Sequence, residues 1–250
     1  MASINATPKL STVDLYSSVT DIPSGLYLGS LEYGNNGKAF RFCKAGSSAL
    51  TVGNVLQSSA IDAQFDAMAV AVAGAKGDTQ LQVTLGSTAI TANQFDGGTL
   101  TIQVAAATAT LADEYTIVAH TAASGAATCV FYLDRPLRIP VTVATNKITV
   151  RRSPWSGVIQ CPTTLTGTVV GVAIYAIPAG EYGWIQTKGV ASVQSDSSTC
   201  AVGSDVGVPG ATAGCIGVNV AGTGKCNTVG RAMKAFTGGS LPVQTYLCID

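Results

Sequence analysis

Apolar and polar residues alternate along this chain in short bursts. Leu81, Val83 and Leu85 occupy every second position and stop at Gly86. Leu100, Ile102 and Val104 repeat the pattern after an Asp96-Gly97-Gly98 turn signal, and Tyr115, Ile117 and Ala119 form a third set. A period of two sends alternate side chains to opposite faces of a strand, so each burst predicts a half-buried strand. Upstream, residues 26–33 alternate weakly, Asn35-Asn36-Gly37 is a strong turn signal, and residues 39–43 set Phe40 and Phe42 on one face. A hairpin is the economical expectation there. Residues 58–66 fit two periods, since Ile61, Phe65, Met68 and Val72 make a helical stripe while Met68, Val70 and Val72 make a strand. Gly74 and Gly77 end the run early, which favours a helical turn or loop followed by a strand.

The second half continues in the same manner. In 129–133, Val130 and Tyr132 face one way and Cys129, Phe131 and Leu133 the other, as in a strand buried on both faces. Residues 147–150 predict a short strand before Arg151-Arg152-Ser153-Pro154-Trp155. Val170, Val172, Ile174 and Ala176 share a face, and the turn Pro178-Ala179-Gly180 leads to Tyr182, Trp184 and Gln186 on one face of the next strand. Residues 195–239 are rich in Gly, Ser, Ala and Thr, with turns expected at 205–210 and 221–224, and the apolar stretch 241–249 completes a sheet. About nine or more short strands at intervals of roughly ten residues, without a long amphipathic helix, predict an all-β sandwich or barrel. The polar, aperiodic residues 1–24 read as an extended N-terminal arm that gains order on a neighbouring surface. A boundary near 151–154 would divide the rest into an N-terminal β module, 25–150, and a C-terminal one, 151–250.

Composition narrows the partners. Charged residues make up 11 % of the 250 positions, with 14 Lys+Arg balanced by 14 Asp+Glu, against roughly 25 % charged in an average domain. Such a surface offers no field to steer a nucleic acid or an anionic membrane. It favours close association with other protein surfaces, because little charge must be desolvated. Mean hydropathy is high at +0.35, yet the longest apolar stretches, 67–75 and 169–177, fall short of the ~20 residues a spanning helix needs. The opening Met-Ala-Ser-Ile-Asn-Ala-Thr-Pro-Lys carries no basic region ahead of an apolar core, so a product made in the cytoplasm is expected. Seven cysteines (43, 129, 161, 200, 215, 226, 248) lack short spacings and read as small buried hydrophobes. The cluster Cys200, Cys215 and Cys226 leaves room for one loop-closing bridge.

Candidate chemistry is sparse. The single histidine, His120, ends an alternating strand, and no G-x-S-x-G elbow supplies a nucleophile, so structural hydrogen bonding is its expected role. Gly222-Thr223-Gly224-Lys225 fails as a phosphate loop, because Asn219 and Cys226 stand where the motif needs Gly and Ser or Thr. Asp113-Glu114 reads as a solvated turn, and the pair Asp62/Asp66 carries no specific signal. Arg151-Arg152 beside Trp155 could stack or contact a phosphate, but a nucleic-acid site needs a broader basic patch. Asn5-Ala6-Thr7 fits a glycosylation sequon, which has no meaning for the cytoplasmic product expected here. No catalytic, cofactor-binding or metal-ligating residue is expected.

Two segments carry a resemblance. Gly37-Lys38-Ala39-Phe40-Arg41-Phe42-Cys43-Lys44-Ala45-Gly46, with Ala49-Leu50-Thr51-Val52-Gly53, resembles the opening of many small virion proteins of tailed bacteriophages. Val170-Gly171-Val172-Ala173, followed by Ala179-Gly180-Glu181-Tyr182-Gly183-Trp184-Ile185-Gln186-Thr187-Lys188-Gly189, is similar to a hairpin of the same proteins. Asp134-Arg135-Pro136-Leu137 and Trp155-Ser156-Gly157-Val158 fall between them in order. The resemblance implies a β-rich capsid decoration or cement protein on the outer surface of the virion, commonly a homotrimer, with the major capsid protein as partner. The alternative is a fibre or receptor-binding protein contacting host glycans, for which Tyr182 and Trp184 would form the aromatic platform. Packing of those two rings over an Ala/Val core is the competing expectation.

Overall fold

The computed structural model describes residues 13–104, 113–143, 145–208, 210–219, 227–239 and 241–250. The described residues are almost wholly β. Before residue 60 come β1 (Leu31–Tyr33), β2 (Ala39–Ala45) and β3 (Val55–Gln57). Residues 60–153 carry β4 (Met68–Val72), β5 (Gln80–Thr84), β6 (Thr99–Val104), β7 (Asp113–His120), β8 (Thr128–Leu133) and β9 (Asn146–Arg151). After them come β10 (Ser156–Gln160), β11 (Val169–Ala173), β12 (Tyr182–Gln194), β13 (Thr199–Cys200), β14 (Asp205–Val208), β15 (Gly217–Val218), β16 (Asn227–Ala232), β17 (Phe236–Thr237) and β18 (Pro242–Cys248). The chain forms two compact units, one made of 1–59 with 154–250 and the other of 60–153.

The unit 60–153 is a closed six-stranded barrel in the order β4-β5-β8-β7-β6-β9. Its first and last strands pair with each other, Met68 opposite Ile148, so no edge is left open. Alternation does the sorting. Leu81, Val83, Leu100, Ile102, Ile117 and Phe131 point inward and are buried, each contributing ~1.5–3 kcal/mol. The outward positions include cross-strand threonine pairs at Thr99–Thr116, Thr101–Thr149 and Thr84–Thr128, together with Glu114, Lys147 and the exposed Val118 and Tyr132. Register shifts at 70/72 in β4 and 117/119 in β7 supply the local bends that barrel closure requires.

The other unit is built on a ring of five strands. β2 pairs with β10, β10 with β3, β3 with β11, β11 with β12, and β12 returns to β2. The second half of β12 then leaves the ring to pair with β18, and the sheet continues through β16, β14 and β15. A register shift between Gln186 and Lys188 marks the point of departure. Thr187 is fully buried there, its hydroxyl donating to the Ala39 carbonyl at 3.3 Å. The Gln186 amide donates to the carbonyls of Lys188 and Val190 at 2.9 and 3.0 Å, satisfying main-chain groups the bulge would strand.

The structure corrects several sequence expectations. Residues 25–59 do not share a module with 60–150, because β2 and β3 find their partners in β10, β11 and β12. The boundary near 151–154 is real, but it is the second end of an insertion that begins at residue 60. Residues 13–24 are not a free arm. Val13 is buried against Phe40, Phe42 and Trp184, and Val19 exchanges main-chain hydrogen bonds with Tyr182 at 2.9 and 2.8 Å. Residues 1–12 lie outside the described residues. β8 is buried on one face, with Tyr132 exposed on the other. The expected strand 169–177 ends at Ala173, and 205–208 is a strand rather than a turn. The 221–224 turn lies outside the described residues. The hairpin β1–β2, the short helical turn Ala63–Phe65 ahead of β4, and the closing strand β18 follow the sequence pattern.

Because β3 and β10 are antiparallel neighbours, the chain leaves and re-enters the five-stranded ring on adjoining strands. Residues 60–153 expressed alone should therefore fold cooperatively. A chain in which a short Gly/Ser linker joins Ser59 to Pro154 should keep the remaining sheet. Dispersed amide spectra for both pieces are the expected result, and a collapsed spectrum for either would refute this separation. Within the barrel, a β-carbon on residue 125 would lie 2.1 Å from the Ser87 carbonyl oxygen, while Ala126 sits at φ 59°. Gly125→Ala should cost about 1–3 kcal/mol. Ala126→Gly should be neutral or stabilise by up to about 1 kcal/mol, since it relieves a left-handed alanine. Urea denaturation of the two variants tests the pair.

Candidate functional site

His120 lies at the end of β7 with its ring buried. Its Nε2 accepts the Phe95 amide at 2.9 Å, and its Nδ1 lies 2.9 Å from the Thr121 carbonyl, to which it donates. Both nitrogens are thus committed to main chain, which fixes the tautomer. Cys129 Sγ lies 3.9 Å from Nδ1 but points its own proton at the Thr121 carbonyl, 3.3 Å away. Burial raises the Cys129 thiol and lowers the imidazole, although the Thr121 carbonyl and Asp96 pull the latter weakly upward. A thiolate–imidazolium pair needs the reverse shifts and access for a substrate. The pair is structural.

Asp113 is the clearest departure from the sequence reading. Its carboxylate is buried at the start of β7 rather than solvated in a turn. Arg138 clamps it from Nη2 at 2.5 Å and Nε at 3.1 Å, and the Tyr115 hydroxyl also donates to it. The Arg138 hydrogen bond is the largest of the causes that hold this carboxyl below the usual range. Tyr115 in turn accepts the Arg138 amide at 2.9 Å and carries the Arg135 guanidinium over its ring at 4.9 Å. Every oxygen is engaged, so the cluster pins 134–138 to β7 instead of presenting a free acid.

The other candidates disperse. Asp62 caps the turn Ala63–Phe65 by accepting the Gln64 amide at 2.8 Å, and Asp66 forms an ion pair with Arg151. Arg152 lies over the Phe95 ring at 5.6 Å, whereas Trp155 takes Arg41 over its face at 5.5 Å. The paired arginines therefore have separate partners and make no joint phosphate site. Residues 222–225 lie outside the described residues. Trp184 is 1 % exposed and meets Phe42 edge-on at 5.2 Å. Tyr182 stacks on Phe42 at 6.1 Å, with Lys44 Nζ 5.0 Å from its ring centre. The pair is core and rim, not an exposed aromatic platform. Five cysteines (43, 129, 161, 200, 215) are buried free thiols, and burial pushes Cys161 up to about 12. Cys248 is an exposed free thiol, and Cys226 lies outside the described residues. Among the described residues no group of three or more His, Cys, Asp or Glu could hold a metal ion. Nor is any described helix long and apolar enough to cross a membrane.

What remains is a surface that the alternation did not mark. Tyr16, Tyr27 and Tyr33 are 63, 72 and 68 % exposed, and Ile22 and Leu31 are exposed beside them in sequence. The same segment turns Val13, Leu15, Val19 and Leu26 inward onto the Phe40–Phe42–Trp184 cluster. It is therefore apolar on both sides. β1 is the last strand at one end of its sheet. Ser30 and Gly34 carry flanking ladder bonds, to the Phe42 amide and the Lys38 carbonyl, both at 2.9 Å. Leu31 and Tyr33 alternate with them, so their main-chain groups turn away from β2. The sequence signal is three tyrosines among scattered apolar residues, at no regular period. No family model, curated protein or solved structure matches this chain.

A bulky thiol reagent applied to the native protein should label Cys248 rapidly and leave Cys43, Cys129, Cys161, Cys200 and Cys215 unmodified until denaturant is added. Peptide mapping decides it. Fast labelling of any of those five, or a disulfide joining Cys200 to Cys215, would contradict the packing described.

Proposed function

We propose that this chain is a structural protein that works by packing against other protein surfaces, as a decoration or cement component on the head of a tailed-phage particle. The carrying observation is the outward apolar side of residues 16–33, where tyrosines stand exposed on a segment held firmly to its own body. Tyrosine suits such contacts because it covers much area with few rotatable bonds and keeps a polar tip for the rim. A neutral surface with 11 % charged residues adds little desolvation cost. Placement on a phage head rests on the sequence resemblance across 37–189, with the major capsid protein and further copies of this chain as partners. The effect would be thermodynamic: a protein that binds only the assembled shell stabilises it by mass action. Burial of Trp184 removes the feature that favoured a glycan-binding fibre protein.

The reading is tested by sedimentation of the purified chain alone and with purified particles. Association with itself or with heads is expected, at hundreds of copies per particle by quantitative gel. Tyr27→Ser with Tyr33→Ser should weaken association at least tenfold, since truncating an interface anchor costs more than about 1 kcal/mol. A chain that stays monomeric at high concentration and ignores particles would overturn the proposal.

A further inference from the structure

We propose that His120 is an acid-sensitive latch that holds residues 91–96 over one end of the inserted barrel and releases them when its ring takes a second proton. Both ends of the loop are fixed by main-chain bonds, Ile90 with Ala123 and Gly97 and Gly98 with Ile117, while its middle is stitched to the end of β7 through His120. The Asn93 amide donates to the His120 carbonyl at 3.2 Å, and Asn93 Oδ1 accepts the His120 amide at 3.1 Å. The Phe95 amide has the imidazole Nε2 as its acceptor at 2.9 Å. The neutral ring fits because Nδ1 carries the proton, toward Thr121, while Nε2 offers its lone pair. An imidazolium has no lone pair, so Nε2–H and Phe95 N–H would confront each other as two donors in a buried site.

The surroundings give the charged ring little compensation. β8 contributes Cys129, a thiol that burial keeps protonated, and Phe131, whose ring centre is 5.3 Å away and tilted. The loop contributes Phe95 at 5.6 Å and Asp96, whose attraction is a smaller influence than burial. Arg152 lies over the Phe95 ring at 5.6 Å and is a like charge. Release of Phe95 would also undo its edge-on contact with Phe65 at 4.9 Å, opening that end of the barrel core. A histidine pushed below its ordinary value of about 6.5 binds fewer protons folded than unfolded. The closed state therefore weakens as pH falls below about 6.5, and the loss is complete below the folded value. Between the two, the closing equilibrium falls by up to about tenfold per pH unit.

Because the chain has one histidine, its imidazole gives one titrating signal in the full-length protein. That signal should titrate below 6.5, and its nitrogen shifts at neutral pH should report the Nδ1–H tautomer. Hydrogen exchange of the Phe95 amide, corrected for the intrinsic pH dependence, should lose at least fivefold protection between pH 7.5 and 5. Amides of β12 should not change. In His120→Gln, whose side-chain carbonyl can accept the Phe95 amide without titrating, the pH dependence should vanish. Titration at or above 6.5, or equal corrected protection of Phe95 at both pH values in the wild-type chain, would overturn the latch whether or not the variant folds.

Discussion

The larger unit depends on one inserted residue in its longest strand. β12 runs for 13 residues, and without interruption it would carry one register along its whole length. At Thr187 it slips by one relative to β2. Before the slip its neighbours are β2 and β11. After it, the strand is handed to β18. Gly189, at φ +83°, sits where a β-carbon would lie 3.1 Å from the Lys38 main chain, so the strand can cross close to the β1–β2 turn. The bulge thereby joins a closed ring to an open sheet, and buried Gln186 and Thr187 are the polar cost of that junction, satisfied within the strand and its neighbours.

The inserted barrel solves a different problem. A closed sheet has no edge to protect. Its outer face mixes threonine pairs with Glu114, Lys147 and exposed Val118 and Tyr132. Such closure does not extend to the long sheet of the other unit, which ends at β1 on one side and β15 on the other. Tyr33 lies on the first of those edges and is exposed. The chain thus combines one unit without an open strand and one whose sheet keeps two.

Local pattern made part of this legible. Leu81, Val83, Leu100, Ile102, Tyr115 and Ile117 alternate strictly, and all six are buried in the barrel. The division into units was not legible, since it depends on β2 meeting β12 some 140 residues later, and no local signal records a pairing at that distance. The environment of Asp113 is hidden from the sequence for a related reason. Next to Glu114 it looks like a hydrated turn, and only the fold brings Arg138 and Tyr115 against it. The place of His120 at a strand end points to structural hydrogen bonding, but its acceptor bond to Phe95 follows from loop geometry. Tyr182 and Trp184 share a strand face, yet the ring system of Phe40 and Phe42 beneath them decided that Trp184 is interior.

Both tryptophans, Trp155 and Trp184, belong to the discontinuous unit, and the 60–153 barrel contains neither. Indole emission, the customary optical probe of unfolding, is therefore blind to nearly two-fifths of this molecule. A single smooth fluorescence transition would describe the body alone. Any claim of all-or-none melting for the chain needs a second observable sited in the barrel, such as the ring protons of Tyr115 or Phe131.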